Sequence, residues 1–246
     1  YDIQHIGAQT RALRGRGLRQ AVVVYLEADT KSWSAWRSGY GYERANARIV
    51  EIVDQLRAAI GNPSQLAVTL TGHSGGGSFA FGFIDARDTL PAWLERIAFL
   101  DSNYGFEPLH GDKIVAWLRQ SPTHTLVVLA YDDREIMLDG RKVVSDSGGT
   151  WRATQRMIRH FTQVFTITQD TLGAFVRYRS PGIEILRHPN PENRILHTEM
   201  IGEMNGYMHA LLTGRPGYDR AGSVLKPARA YERFVQGDVA LPPATP

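Results

Sequence analysis

Five short apolar runs, separated by stretches with helical periodicity, most narrowly limit what this chain can fold into. A continuous β-branched run such as Ala21–Leu26 is typical of a strand covered on both faces. The other strand candidates are Leu66–Leu70, Arg96–Leu100, Thr125–Ala130 and Gly182–Leu186. The helix candidates are Tyr42–Ile60, Gly76–Asp85, Gly111–Arg119, Trp151–Phe165 and Tyr207–Thr213. Because alternating strands and helices form parallel sheets with right-handed crossovers, we expect an α/β fold, a three-layer sandwich with a mostly parallel central sheet.

The length of 246 residues suits one domain with a sizeable core. We expect residues 1–246 to form that single domain, with a linker-like tail from about residue 237 that ends in Leu241-Pro-Pro-Ala-Thr-Pro246. The first residue is Tyr rather than Met, and no signal peptide is visible. These features leave the compartment open and are compatible with export, and the oligomeric state is equally open.

Composition excludes several classes of function. The chain has no cysteine, so disulfides, a thiolate nucleophile and cysteine-based metal sites are excluded. The formal charge of +3 comes from basic residues spread along the chain, whereas a nucleic-acid-binding surface needs a denser stripe. No apolar run approaches the roughly 20 residues of a membrane span. We therefore expect no nucleic-acid partner, no membrane span, no cofactor and, since the HExxH pattern is absent, no metal.

The segment Thr71-Gly72-His73-Ser74-Gly75-Gly76-Gly77-Ser78 directly follows the second strand candidate. It contains the pattern G-x-S-x-G, which places Ser74 on a sharp turn between a strand and a helix. Gly72 and Gly76 allow the close backbone approach that such a turn needs. The amide of Gly75 then points at the same spot as the serine hydroxyl and can stabilise an oxyanion. The pattern predicts a nucleophilic serine.

Here the chain resembles the α/β-hydrolase superfamily, through the stretch LAVTLTGHSGGGSFAFGF. The resemblance implies a divergent, esterase-like member with shortened N-terminal strands, because only about 20 residues precede the first strand candidate. It also implies a triad in the chain order Ser, acid, His. The family places the acid after a later strand, which favours Asp133 over its neighbour Asp132. Asp101, after the preceding strand, is the alternative acid, and it can equally serve as a cap or a loop anchor.

In that order the base follows the acid, and the resemblance favours His197. The segment that His197 opens reaches Ala210-Leu211-Leu212 at the offset usual in the family. His160 lies in a predicted helix and is expected to be a surface or packing residue, and His188 is expected to be a loop residue. His209 lies inside the closing helix, where it is less free to reach Ser74. The second oxyanion donor is expected in the loop after Ala21–Leu26, as the amide of Ala28 or Asp29. The family's usual His-Gly is absent there.

Four further residues are candidates for substrate binding. Trp33 and Trp36 lie in the loop after the first strand candidate and can stack on a sugar or aromatic group, or else pack on the scaffold. His73 precedes the nucleophile, Tyr104 follows the third strand candidate, and part of 134–180 is long enough to cap the site. No long apolar lid is present, so we expect a small-molecule or carbohydrate ester with a short or aryl acyl group. The alternatives are an amidase or peptidase, and a non-catalytic binding module on a hydrolase scaffold.

Overall fold

The computed structural model describes residues 4–18, 20–61, 66–218 and 223–235, and its centre is a six-stranded sheet. The strands in this sheet are β1 (Val68–His73), β2 (Leu94–Leu100), β3 (Thr125–Tyr131), β6 (Thr168–Leu172), β7 (Phe175–Ser180) and β8 (Ile183–His188). Their order is β1-β2-β3-β8-β7-β6. The first four strands pair in parallel, β7 pairs antiparallel with β8, and β6 pairs antiparallel with β7. Two short strands, β4 (Met137–Leu138) and β5 (Arg141–Lys142), form a separate hairpin.

Helices cover both faces of the sheet. They are α1 (Ile6–Arg14), α2 (Trp33–Tyr40), α3 (Tyr42–Ala59), α4 (Gly77–Asp85), α5 (Pro108–Gln120), α6 (Thr150–Thr162) and α7 (Gly206–Leu212), with 3₁₀ turns at Ser74–Gly76 and Glu232–Phe234. Alternate residues of the central strands point to opposite faces, as the strand repeat requires. Ala98 and Leu100 join the apolar core under α1 and α7, whereas Ile97 and Phe99 join the core under α3 to α6. The expected α/β class, with a mostly parallel sheet between helical layers, is confirmed.

The prediction of a buried strand at Ala21–Leu26 is wrong. Residues 21–28 form no strand, and Val22 and Tyr25 are 67% and 58% exposed. No strand precedes β1 within the described part of the chain, so β1 is the edge of the sheet. A run of β-branched residues indicates a preference for extended backbone, but it does not supply the neighbour that would cover it.

Two other segments differ from expectation. Residues 168–180 form the β6–β7 hairpin, which extends the sheet, so this part of 134–180 does not cap the site. The aromatic segment after Ala28 is a helix, α2, rather than an open loop, and the side chain of Ser32 caps it by accepting from the amide of Ala35. The linker-like tail from about residue 237 lies outside the described residues.

Candidate active site

Ser74 lies at the junction that its motif predicts. β1 ends at His73, Ser74 has a φ of 53°, and the 3₁₀ turn then leads into α4. A left-handed backbone costs a residue other than glycine about 1–3 kcal/mol, and such strain is found mostly at functional sites. The side chain is half-buried and makes no hydrogen bond to any described residue. The expected strand, turn and helix around Ser74 are confirmed.

The glycines of this turn have different roles from those expected. A Cβ on Gly72 would lie 2.6 Å from the backbone carbon of Gly76, so Gly72 must be glycine, as predicted. A Cβ on Gly76 would enter open space, so the expectation for Gly76 is wrong; it supplies the backbone that Gly72 approaches. The second essential glycine is Gly77, where a Cβ would overlap the carbonyl oxygen of Ser102 at 1.7 Å.

Asp101 follows β2, the strand next to β1. The register pairs His73 with Leu100, so Ser74 and Asp101 leave the sheet side by side. Asp101 also has a left-handed backbone, with a φ of 48°, and only 1% of it is exposed. The ring of His197 donates from Nδ1 to Asp101 Oδ2 at 2.5 Å. This bond orients the imidazole and leaves Nε2 as the atom that can accept a proton.

The other oxygen of Asp101 is also engaged. The hydroxyl of Thr150 donates to Asp101 Oδ1 in a short hydrogen bond. Burial raises the pKa of Asp101, and hydrogen bonds from His197, Thr150 and the Tyr131 backbone counteract that rise. A buried carboxylate needs such partners to remain ionised. Thr150 is the first residue of α6, and Gly149 holds the cap position.

The expectation that Asp133 orients His197 is wrong in this structure. Asp133 is 3% exposed, and its Oδ2 accepts from the backbone amide of Thr150 at 2.8 Å. This contact places its carboxylate at the N-terminus of α6. There an anion satisfies a free amide and interacts favourably with the positive end of the helix dipole. Asp132 is engaged elsewhere, since its carboxylate forms a bidentate pair with Arg134 at 2.6 and 2.8 Å. Of the three carboxylates considered, only Asp101 contacts His197.

The remaining histidine candidates have other partners. His209 is buried in α7, 2.9 Å from the Tyr218 hydroxyl through Nδ1 and 3.3 Å from Glu184 through Nε2. His160 lies beside Asp112, and His188 accepts through Nδ1 from the amide of Asn190. None of these positions lies at the end of β1. Among the later histidines, His197 alone contacts both Asp101 and the residue preceding Ser74.

The expected oxyanion donors are placed differently from one another. Gly75 is exposed and directly follows Ser74 in the 3₁₀ turn, as the elbow requires. Ala28 and Asp29 lie in a turn closed by the Lys31 amide, which donates to the Ala28 carbonyl at 2.8 Å. That turn leads into α2, and α2 lies against the 3₁₀ turn of Ser74. No described hydrogen bond joins Ala28 or Asp29 to the nucleophile turn.

The four substrate-binding candidates fall into two groups. Trp33 packs edge-on against Phe79 with 4.7 Å between the ring centroids, and Trp36 stacks on Tyr40 with 4.8 Å between the ring centroids. Both tryptophans therefore pack at least partly against other side chains of the protein. Tyr104 is 41% exposed. Burial of its hydroxyl, and then the charges of Asp101 and Asp133, raise the pKa of Tyr104. His73 is not free for substrate, because both of its ring nitrogens contact protein atoms.

Sequence reasoning missed two contributors to this site, Thr150 as a partner of Asp101 and Gln4 as a partner of His73.

Within the described ranges, no group of three or more His, Asp or Glu side chains is placed to hold a metal ion. None of the helices described is both long enough and apolar enough to cross a membrane. No protein-family model, no curated protein and no solved structure matches this chain.

Proposed function

We propose that this protein is a serine hydrolase of the α/β-hydrolase type that cleaves carboxylic esters. The observation that carries the proposal is the 2.5 Å contact of His197 with the buried Asp101, formed beside a serine whose backbone is held at a φ of 53°. A left-handed backbone at two non-glycine residues on adjacent strand ends costs conformational free energy. A protein retains such strain where it positions functional groups, here a nucleophile and its acid. The proposed triad is Ser74, His197 and Asp101.

The reaction follows from these roles. Ser74 Oγ attacks the acyl carbon while His197 Nε2 takes the hydroxyl proton. Asp101 stabilises the imidazolium that forms, and the Gly75 amide donates to the oxyanion of the tetrahedral intermediate. The intermediate expels the alcohol, which receives its proton from His197. Water then attacks the acyl-enzyme, with His197 again as the base, and releases the acid.

The surroundings of the site favour a small or flat acyl group. Tyr104 follows Asp101 after β2 and is 41% exposed, and α2, which carries Trp33 and Trp36, lies against the 3₁₀ turn of Ser74. Short-chain, aryl and carbohydrate-linked esters are therefore the substrates to screen first, with matched anilides to detect amidase activity. Aromatic side chains beside a binding site suit substrates with flat or short apolar groups.

Labelling with a fluorophosphonate probe and peptide mass spectrometry test the proposal. We expect an adduct on Ser74, none in Ser74→Ala, and full labelling in Ser38→Ala, which removes an exposed serine of α2. Ester turnover should fall by about 10³-fold or more in Ser74→Ala while circular dichroism shows an intact fold. A folded wild-type protein that takes no label and turns over no ester would instead favour the binding-module alternative.

A further inference from the structure

His73 contacts the base as well as preceding the nucleophile. Its Nε2 lies 2.9 Å from the carbonyl oxygen of His197, and the two rings are 4.3 Å apart. The carbonyl belongs to the residue that opens a turn-rich segment, 197–205, with no strand to hold it. His197 therefore has two attachments, its ring to Asp101 and its backbone to His73.

The contacts of His73 allow one protonation state. A carbonyl oxygen only accepts, so Nε2 must carry the hydrogen that it donates to His197. In a neutral ring Nδ1 is then an acceptor, and the side-chain amide of Gln4 donates to it in a short hydrogen bond. Burial and the adjacent His197 ring lower the pKa of His73 to about 3, so the ring is neutral at physiological pH.

Gln4 is itself held in place by a buried side chain. Gln9 of α1 is 0% exposed, and its amide donates to the carbonyls of Gln4 at 2.8 Å and Ile201 at 3.0 Å. Its oxygen accepts from the amide of Met208 in α7 at 3.3 Å. The N-terminal segment is thereby attached both to the elbow and to the segment that follows the base.

We propose that His73 is a positioning residue that sets the distance between the base and the nucleophile, and that Gln4 and Gln9 hold it in the tautomer this requires. The inference rests on the proposed hydrolase function. A displacement of about 1 Å at a reacting group can cost 10²-fold in rate, so one backbone hydrogen bond at His197 has a large effect on turnover. Because His73 is neutral, it does not repel the positive charge that His197 carries transiently as an imidazolium.

Two substitutions separate the contacts of His73. In His73→Gln the amide reaches about as far as Nε2 and can still donate to the His197 carbonyl. In His73→Asn the amide reaches only as far as Nδ1, so it can still meet Gln4 but not His197. We expect kcat to fall about 100-fold in His73→Asn and less than about 10-fold in His73→Gln, with KM little changed in both. Equal losses, or no loss in either, would overturn the proposal.

Gln4→Leu tests the same chain of contacts without altering the elbow, including the case in which a His73 variant fails to fold. Nitrogen-15 spectra of the wild-type rings should show His73 neutral, with its hydrogen on Nε2, from about pH 8 to about pH 5. In Gln4→Leu the ring loses the donor to Nδ1, while the His197 carbonyl still favours a hydrogen on Nε2. We therefore expect a smaller fraction of rings in the neutral tautomer with its hydrogen on Nε2, and an acid limb of the kcat/KM profile that moves to higher pH. An unchanged tautomer with an unchanged profile contradicts the role of Gln4.

The two proposals fail differently. A wild-type protein without label or turnover removes the hydrolase function, while the ring spectra still report whether His73 is held as the structure indicates. An active wild-type protein whose His73 and Gln4 variants match it in kcat, tautomer and pH profile removes only the positioning role.

Discussion

Asp101 and Asp133 occupy equivalent places in the fold and have different partners. Each follows a buried parallel strand, β2 or β3, and each is almost fully buried. Asp101 turns into a left-handed backbone and meets His197, whereas Asp133 accepts from the first amide of α6. Thr150 contacts both, through its hydroxyl to Asp101 and its amide to Asp133. A carboxylate that follows a buried parallel strand is thus a candidate for the triad acid, and the local backbone decides which partner its side chain meets.

The largest expected effect is the difference in kcat between variants of Asp101 and variants of Asp133. Asp101→Asn should lower kcat by about 10³- to 10⁴-fold, because an amide in place of the carboxylate no longer holds the imidazole in the required tautomer. Asp133→Asn should lower kcat by less than about 10-fold, since asparagine caps a helix about as well as aspartate. Ester hydrolysis by the two purified variants measures this, and the reverse ranking would restore Asp133 as the triad acid.

The second prediction concerns the space around Asp133. Gly149 has a φ of +91°, and a Cβ there would lie 2.6 Å from both oxygens of Asp133. Gly140 has a φ of +75° but open space around it, so Gly140→Ala is the matched control. We expect Gly149→Ala to lower the free energy of unfolding by about 2–4 kcal/mol and Gly140→Ala by about 1 kcal/mol. Equal costs in urea denaturation would mean that Asp133 can move away.

The third prediction tests the residue that connects the two carboxylates. Thr150→Val removes the hydroxyl that donates to Asp101 but keeps the shape and the amide that donates to Asp133. We expect kcat to fall about 10-fold, the equivalent of one hydrogen bond to a charged group, while Thr150→Ser stays near wild type. If the serine variant loses as much as the valine variant, the methyl group rather than the hydroxyl supports Asp101.

Much of the fold was predictable because its central strands are continuous apolar runs. The predictions for β2, β3 and β8 are confirmed within two residues at each end, since burial on both faces leaves that signature. The run Ala21–Leu26 has the same composition but no partner strand, and a local pattern does not report partners. The β6–β7 hairpin was missed because polar residues predominate in β6 and interrupt β7, so neither strand is a continuous apolar run.

The site was predictable only in part. Ser74 could be placed because the elbow is a local motif, whereas the partner of His197 depends on contacts 96 residues apart in the chain. The resemblance favoured the later strand, and nothing in the residues around Asp133 and Asp101 indicates which one turns towards the base. Gln4 carried no signal at all, because its role depends on where α1 packs.

The smallest expected effect is a difference between Asp133 and its neighbour Asp132 in how each changes the pH dependence of the free energy of unfolding. Burial, and then the charge of Asp101, raise the pKa of Asp133, despite the helix amides that it accepts from. For Asp132, burial is outweighed by the hydrogen bonds and charge of Arg134, so its pKa is lowered. A raised pKa means that the folded state loses stability as the pH rises from the unfolded pKa, near 3.9, through the folded one. The lowered pKa of Asp132 has the opposite effect, so the folded state gains stability as the pH rises through the folded pKa of Asp132.

Asp133→Asn should therefore be more stable than wild type at pH 7, by an amount that disappears as the pH falls below about 4. Asp132→Asn should be less stable than wild type at pH 7, by about 0.2–1 kcal/mol for a partly exposed pair, and should also converge with it in acid. Urea denaturation of the three proteins between pH 3.5 and pH 8 measures both differences. If Asp133→Asn is destabilised at pH 7 in the same way as Asp132→Asn, the carboxylate of Asp133 is ionised at no cost, and its charge at the start of α6 outweighs its burial.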